Sequence, residues 1–147
     1  MAYRGAAGLD LLDGFFGGIC LARDPPMTKA IVLFAHGSRD PLWHKPMEAV
    51  AAQIAAQSPT TPVACAYLEL STPDLPTVVN QMAASGVTAI SIVPLFLGVG
   101  RHAREDLPGL VIALRQKFPS IAFLLNPAVG ENPKLVQLLA DIALEGL

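Results

Sequence analysis

Apolar residues in this chain fall into four short unbroken runs, separated by stretches in which apolar positions recur every three or four residues. The runs are Ala30–Ala35, Pro62–Leu68, Thr88 to about Leu95, and Ile121–Leu125. Runs of this length, bounded by Gly, Pro or polar residues, read as strands covered on both faces of a parallel sheet. The intervening stretches read as helices. The first spans about Lys45 to Gln57, with Pro46 in its first turn and Ser58-Pro59 ending it. The second takes Asp74 as its N-cap, has Pro76 near its start and stops at Ser85-Gly86. The third runs from about Asp106 to Phe118 with Pro108 in its first turn, and the last from Pro133, capped by Asn132, to about Leu144. Strand and helix alternate four times, which predicts an α/β fold with right-handed crossovers and helices on both faces of a four-stranded parallel sheet. The expected winding is a flavodoxin-like three-layer sandwich of strand order 2-1-3-4, whose ligand edge lies at the strand exits around the switch point between strands 1 and 3.

Residues 1–26 do not share this pattern. They are rich in Gly and Ala, keep no sustained period and close on Asp24-Pro25-Pro26, so they read as a poorly ordered N-terminal extension ahead of one domain, 27–147. The stretch Leu11–Ala22 is broken by Asp13, Gly14, Gly17 and Gly18, and it is shorter than the roughly 18 residues of a membrane span. With Arg4 and Asp10 ahead of it, it does not read as a secretory signal either. Hydrophobic residues make up 52% of the chain and charged residues 15%, a surplus of apolar surface that a second copy would help to cover. A net charge of −2 argues against nucleic acid as the main partner. Cys20 and Cys65 form no CxxC, so neither a disulfide framework nor a zinc motif is present, and they fit a reducing cytoplasm.

The candidate chemistry sits where the apolar runs end. The first leads into His36-Gly37-Ser38-Arg39, the second into Glu69, and the third into Gly98-Val99-Gly100-Arg101-His102. In the expected order strands 2, 1 and 3 are neighbours about 4.8 Å apart, so Glu69, His36 and His102 meet at one cleft although 33 residues separate each from the next. Two imidazoles and a carboxylate at an open edge suit Co²⁺, Ni²⁺ or Fe²⁺ with positions left for substrate, or acid–base chemistry. Taken singly, each has a plainer reading: His36 a turn cap, Glu69 a solvated strand end, His102 part of an exposed loop. Arg39, Arg101 and Arg104, with N–H groups at helix starts, suit a ligand bearing several carboxylates, or else pair with Asp40, Glu105 and Asp106. Gly98 and Gly100 either let the backbone approach a flat ligand or adopt positive φ. No GK[ST] follows, so the loop is not a phosphate loop. Trp43 and His44 read as packing or surface away from this edge, and Leu68, Leu95 and Phe96 as core or as walls for an aromatic ligand.

HGSR at the first strand's end, AYLEL with its acid at Glu69, and PLFLGVGRHAREDLP together resemble the short form of the class II chelatases. These are the sirohydrochlorin cobalto-, nickel- and ferrochelatases of cobalamin, methanogenic nickel-tetrapyrrole and sirohaem synthesis. The resemblance covers about Met27 to Leu144. It implies a chelatase-like half-module paired as a homodimer, since the family's long members are internally duplicated. It further implies His36 and His102 as metal ligands, with Glu69 facing them across the bound macrocycle. Ser38, Arg39, Gly98, Gly100, Arg101 and Arg104 are the expected contacts to a sirohydrochlorin-type tetrapyrrole. The divalent metal, cobalt foremost with iron or nickel behind it, is then a substrate, and no prosthetic group or nucleotide is expected. One departure is Asn126-Pro127, where many such chelatases carry a further His before the proline that opens the last helix. Two other readings remain: a non-catalytic metal or tetrapyrrole carrier, and a histidine phosphohydrolase, whose Arg-His-Gly order is broken here by Ala35 before His36.

Overall fold

The computed structural model describes residues 26–147, and of His102 the backbone alone. The expected extension, apart from Pro26, and Cys20 lie outside these residues. Strands β1 (Lys29–Ala35), β2 (Val63–Tyr67), β3 (Ala89–Pro94) and β4 (Ala122–Leu125) form one parallel sheet in the order β2-β1-β3-β4. This is the order expected of the flavodoxin-like winding. Ala35 pairs with Tyr67 and Phe34 with Pro94, so the C-terminal ends of β2, β1 and β3 are level to within a residue. Three chain segments therefore leave the sheet side by side.

Side chains alternate across a strand, and the alternation divides the interior. Ala30, Val32 and Phe34 of β1 turn to the face that also collects Ala66, Ile90, Ile92 and Phe123. Onto it pack Leu75, Val78, Val79 and Met82 of α2 (Leu75–Ala84) and Ala103, Leu107, Val111 and Leu114 of α3 (Arg101–Lys117). Burying each large side chain there is worth roughly 1.5–3 kcal/mol. The opposite face is thinner. Helix α1 (Lys45–Gln57) lies against β1 and β2 without a fully buried residue, and α4 (Pro133–Leu144) packs on the short 3₁₀ turn Val129–Glu131. Burial on both faces, expected of every strand, holds for β1, where Leu33 and Ala35 are as inaccessible as Val32 and Phe34. It fails for the edge strand β4, whose Leu124 is exposed beside buried Phe123, because α4 does not lie across it. No helix among the described residues is long and apolar enough to cross a membrane.

One boundary differs from the sequence expectation. Helix α3 starts at Arg101, five residues before Asp106, so Pro108 is its eighth residue and not part of its first turn. A proline there removes one backbone hydrogen bond and crowds the preceding turn. Burial overrides that cost, because Ala103, Leu107, Val111 and Leu114 continue one apolar stripe straight through Pro108, which stays on the exposed side.

The start of α2 is set as the sequence predicts: the Asp74 carboxylate accepts a hydrogen bond of 2.9 Å from the Thr77 N–H. Hydrogen bonds from the Thr77 hydroxyl and N–H hold the Asp74 carboxyl below the ordinary aspartate value. A depressed carboxyl pKa contributes stability above its unfolded value and loses it as pH falls through the folded one. Asp74→Ala is accordingly expected to cost about 1 kcal/mol at neutral pH. The difference in melting temperature between it and the parent should shrink as pH falls from about 5 toward about 2, whereas Asp74→Asn, which keeps the acceptor, should lose little at neutral pH.

Candidate functional site

The β1–β2 ladder does not stop at the strand ends. The Leu68 N–H donates to the Ala35 carbonyl at 2.9 Å, and the Glu69 N–H donates to the His36 carbonyl at 2.9 Å. His36 and Glu69 are thereby carried side by side on neighbouring chain segments. Both are exposed, and with Leu68, Gly100, Ala103 and Asp106 they line a cleft of about 520 Å³ at the C-terminal edge of the sheet. Gly37 makes the approach possible: it sits at φ 99°, and a Cβ at that position would land on the Glu69 carbonyl oxygen. On the other flank the Leu95 N–H donates to the Phe34 carbonyl at 2.7 Å and brings Phe96 under His36. The buried Phe96 ring stacks on the His36 imidazole at 4.3 Å between centroids and 28° between planes, and meets Phe34 edge-on at 6.0 Å. Such stacking restricts the imidazole at a gain of roughly 0.5–1.5 kcal/mol.

Beyond Glu69 the chain doubles back, and the Tyr67 N–H closes the loop on the Pro73 carbonyl at 3.0 Å. Inside this loop the Ser71 hydroxyl meets the backbone of Ser38 at both its N–H, 2.9 Å, and its carbonyl, 2.7 Å. Nε2 of His44 lies 2.9 Å from the same hydroxyl, and the His44 ring tilts against Tyr67 at 4.7 Å. His44 thus sits against the two loops that carry His36 and Glu69. The sequence places it away from this edge, because the turn Pro41–His44 that brings it back is visible only in three dimensions.

The third strand exit is less uniform. His102 is the second residue of α3, adjoining Ala103, which lines the His36–Glu69 cleft, and preceding Asp106 by four residues. Asp106 is a cleft carboxylate that the sequence reading leaves out as a site residue. Reading the helix start at Arg101, from the apolar stripe through Ala103, would have found it. Gly98 and Gly100 have no positive φ, Gly100 standing at −65°, and a Cβ on either would meet nothing within 4 Å. Neither glycine is therefore required by a positive φ. Arg101 lies 4.0 Å from Glu105 one turn on, both largely exposed, a contact worth about 0–1 kcal/mol. Arg104 lines a neighbouring cleft with Phe96, Leu107, Pro127 and Glu131, on the β3–β4 side. Arg39 is exposed next to Asp40, whose carboxylate accepts from the Leu42 N–H at 2.9 Å. The three arginines therefore surround the edge without sharing one cleft. A second groove of about 470 Å³ meets the first at Leu68 and Asp106 and extends along α3 to Asp74. Among the described residues, which exclude the His102 side chain, no three His, Cys, Asp or Glu groups gather as a ligand set. Asn126 closes the fourth exit structurally, donating from Nδ2 to the Ser91 hydroxyl at 2.8 Å and to the Ile92 carbonyl at 2.9 Å. Burial, with the nearby Glu48 charge, pushes the Cys65 thiol up, so it stays protonated near neutrality.

A parallel sheet wound 2-1-3-4, with an imidazole and a carboxylate delivered to adjacent strand exits, belongs to the flavodoxin-like class that binds ligands at its switch point. The family model described as CbiX matches residues 30–145, and the chain belongs to that family. The sirohydrochlorin cobaltochelatase of Methanothermobacter thermautotrophicus is 35% identical over 81 residues, 55% of this chain and 56% of that protein. A solved CbiX protein from Marinobacter aquaeolei VT8 superposes with a TM-score of 0.71 at 35% identity, covering 80% of this chain and 96% of its own. The sirohydrochlorin chelatase SirB from Bacillus subtilis subspecies spizizenii, solved in complex with cobalt, gives 0.66 at 27% identity, over 76% of this chain and 47% of its own. The chain spans about half the length of the curated relatives it matches.

Proposed function

We propose that this protein is a sirohydrochlorin chelatase that inserts a divalent metal, cobalt foremost and iron or nickel as competitors, into the tetrapyrrole, working in the cytoplasm as a homodimer. The observation that carries this reading is the pairing of His36 with Glu69 by backbone bonds in one cleft, in a chain of the CbiX family. His36 and His102 hold the ion through neutral imidazoles. Support for His102 is its place in the first turn of α3 beside cleft-lining Ala103. Two pyrrole protons leave as four ring nitrogens take the ion; Glu69 accepts one and a histidine released as the metal transfers accepts the other, with Asp106 a second carboxylate in the same cleft. Gly98 and Gly100 present unobstructed backbone to a flat ligand. Ser38, Arg39 and Arg101 anchor its acidic side groups, Arg101 giving up only a weak contact with Glu105, and Arg104 reaches them from the flank. The metal enters as substrate and no prosthetic group takes part. A second copy closes the open side, for which the exposed Leu70 and Leu97 beside the cleft and the exposed row on α4 provide apolar surface.

The test is anaerobic mixing with sirohydrochlorin and Co²⁺, Fe²⁺ or Ni²⁺, singly and in competition, followed by the metallated absorption spectrum. Many turnovers per chain, faster than the protein-free control and fastest with Co²⁺, are expected. Stoichiometric binding at the uncatalysed rate would make the protein a carrier and overturn the proposal. Light-scattering mass at the assay concentration should correspond to two chains; one chain would overturn the homodimer.

A further inference from the structure

The hydroxyl of Ser71 is saturated, and its bonds have only one consistent direction. Its single hydrogen goes to the Ser38 carbonyl at 2.7 Å, and one lone pair takes the Ser38 N–H at 2.9 Å. With that hydrogen committed, the contact of 2.9 Å to His44 requires the imidazole to donate from Nε2–H. Ser71 is thus no nucleophile: the histidine feeds its oxygen a proton donor where an activated serine would give its own proton away. What the arrangement does build is a second tie between two loops. The first is the bond from the Glu69 N–H to the His36 carbonyl. The second, two residues further along both segments, joins Ser71 to Ser38. Between the ties lie Gly37 at φ 99° and Leu70 at φ 59°. A leucine rarely adopts that conformation, and it persists only where the surroundings over-determine it. The two ties supply that over-determination.

We propose that Ser71 and His44 are positioning residues for metal binding: Ser71 clamps the Ser38 peptide, and His44 completes and orients the clamp, so that His36 and Glu69 are presented at fixed separation. This rests on the reading of His36 as a metal ligand. Hydrogen-bonding partners one step behind a metal ligand change metal affinity or activity by about 10–100-fold when removed. Ser71 acts on Ser38, two residues from His36, so Ser71→Ala is expected to raise the KM for Co²⁺ by about 10-fold, the lower end of that range, and by more than it changes kcat or the KM for sirohydrochlorin. Ser71→Thr, which keeps the hydroxyl, should restore the metal KM. His44→Phe, which keeps a ring against Tyr67 and deletes the donor, should raise it by about threefold, less than Ser71→Ala because the Ser71–Ser38 bonds remain. Nitrogen-15 spectra of the parent should show His44 protonated at Nε2. Thermal melts of each variant separate the proposal from general loosening. If Ser71→Ala and His44→Phe leave the metal KM unchanged while His36→Ala raises it, the clamp is overturned and the chelatase reading stands. If Ser71→Ala lowers kcat and raises both KM values to the same extent, in step with a fall in its melting temperature, and Ser71→Thr does not rescue, Ser71 is merely structural and the clamp is again overturned. If His36→Ala itself leaves the metal KM unchanged, the ligand assignment under the proposed function fails.

Discussion

Gly37→Ala is expected to lower stability by roughly 3–5 kcal/mol and to abolish measurable metal binding. Two costs combine. The backbone stands at φ 99°, where an L side chain is strained by about 1–2 kcal/mol. The added Cβ would also occupy the position of the Glu69 carbonyl oxygen and sit 3.2 Å from the Ser71 hydroxyl. Relief requires the β2 exit to move away from the β1 exit, which breaks the bond from the Glu69 N–H to the His36 carbonyl and both Ser38–Ser71 bonds. Each is worth about 1 kcal/mol net. Gly86 provides the control, since it has a comparable φ of 82° and a Cβ placed there would meet nothing within 4 Å. Gly86→Ala should then cost only about 1–2 kcal/mol, the conformational part alone. Urea midpoints of the two variants decide the matter, and equal losses would remove the close approach at Gly37 from the account of the site.

His36→Ala should reverse this balance and affect activity with little effect on folding. The side chain is exposed and its main packing partner is the face of Phe96, so the melting temperature should change by no more than about 5 °C, as for a loss near 1 kcal/mol. Metallation with Co²⁺ should fall by at least about 100-fold in kcat/KM, because removal of a direct donor exceeds the 10–100-fold cost of removing a hydrogen bond behind one. A 100-fold loss corresponds to about 2.7 kcal/mol of transition-state stabilisation. His102→Ala is expected to match it in magnitude. The pair should fall short of additivity, since either change alone opens the ion's coordination. Initial rates at several Co²⁺ concentrations, beside thermal melts, provide the measurement. An unchanged rate in either variant would remove that histidine from the site.

The alternation of strands and helices and most element boundaries are legible in the sequence, for a local reason. Each apolar run is long enough to be a strand, and each helix carries its own punctuation: Pro46 opening α1, the Asp74 carboxylate capping α2, and Asn132 accepting from the Lys134 N–H at 3.0 Å ahead of α4. His36 and Glu69 were legible because a polar residue just past a buried strand is already placed at a ligand edge. The start of α3 was not, because Pro108 is a local stop signal and the burial of Ala103 and Leu107 that overrides it is a contact with distant strands. Asp106 was missed with it.

By itself, then, the order of residues determined which segments are strands and helices, that they alternate as right-handed units of a parallel sheet, and which polar groups stand just past a strand; these follow from periodicity, capping and the handedness of crossovers, all short-range properties of the chain. Only the tertiary structure decided that Ser71 grips Ser38 from 33 residues away, that His44 backs it, that Phe96 lies beneath His36, and that Arg104 faces a different cleft from Gly100. Those relations depend on how loops return to one another across the sheet edge, and no spacing along the chain encodes the meeting of two loops whose paths are set by everything packed beneath them.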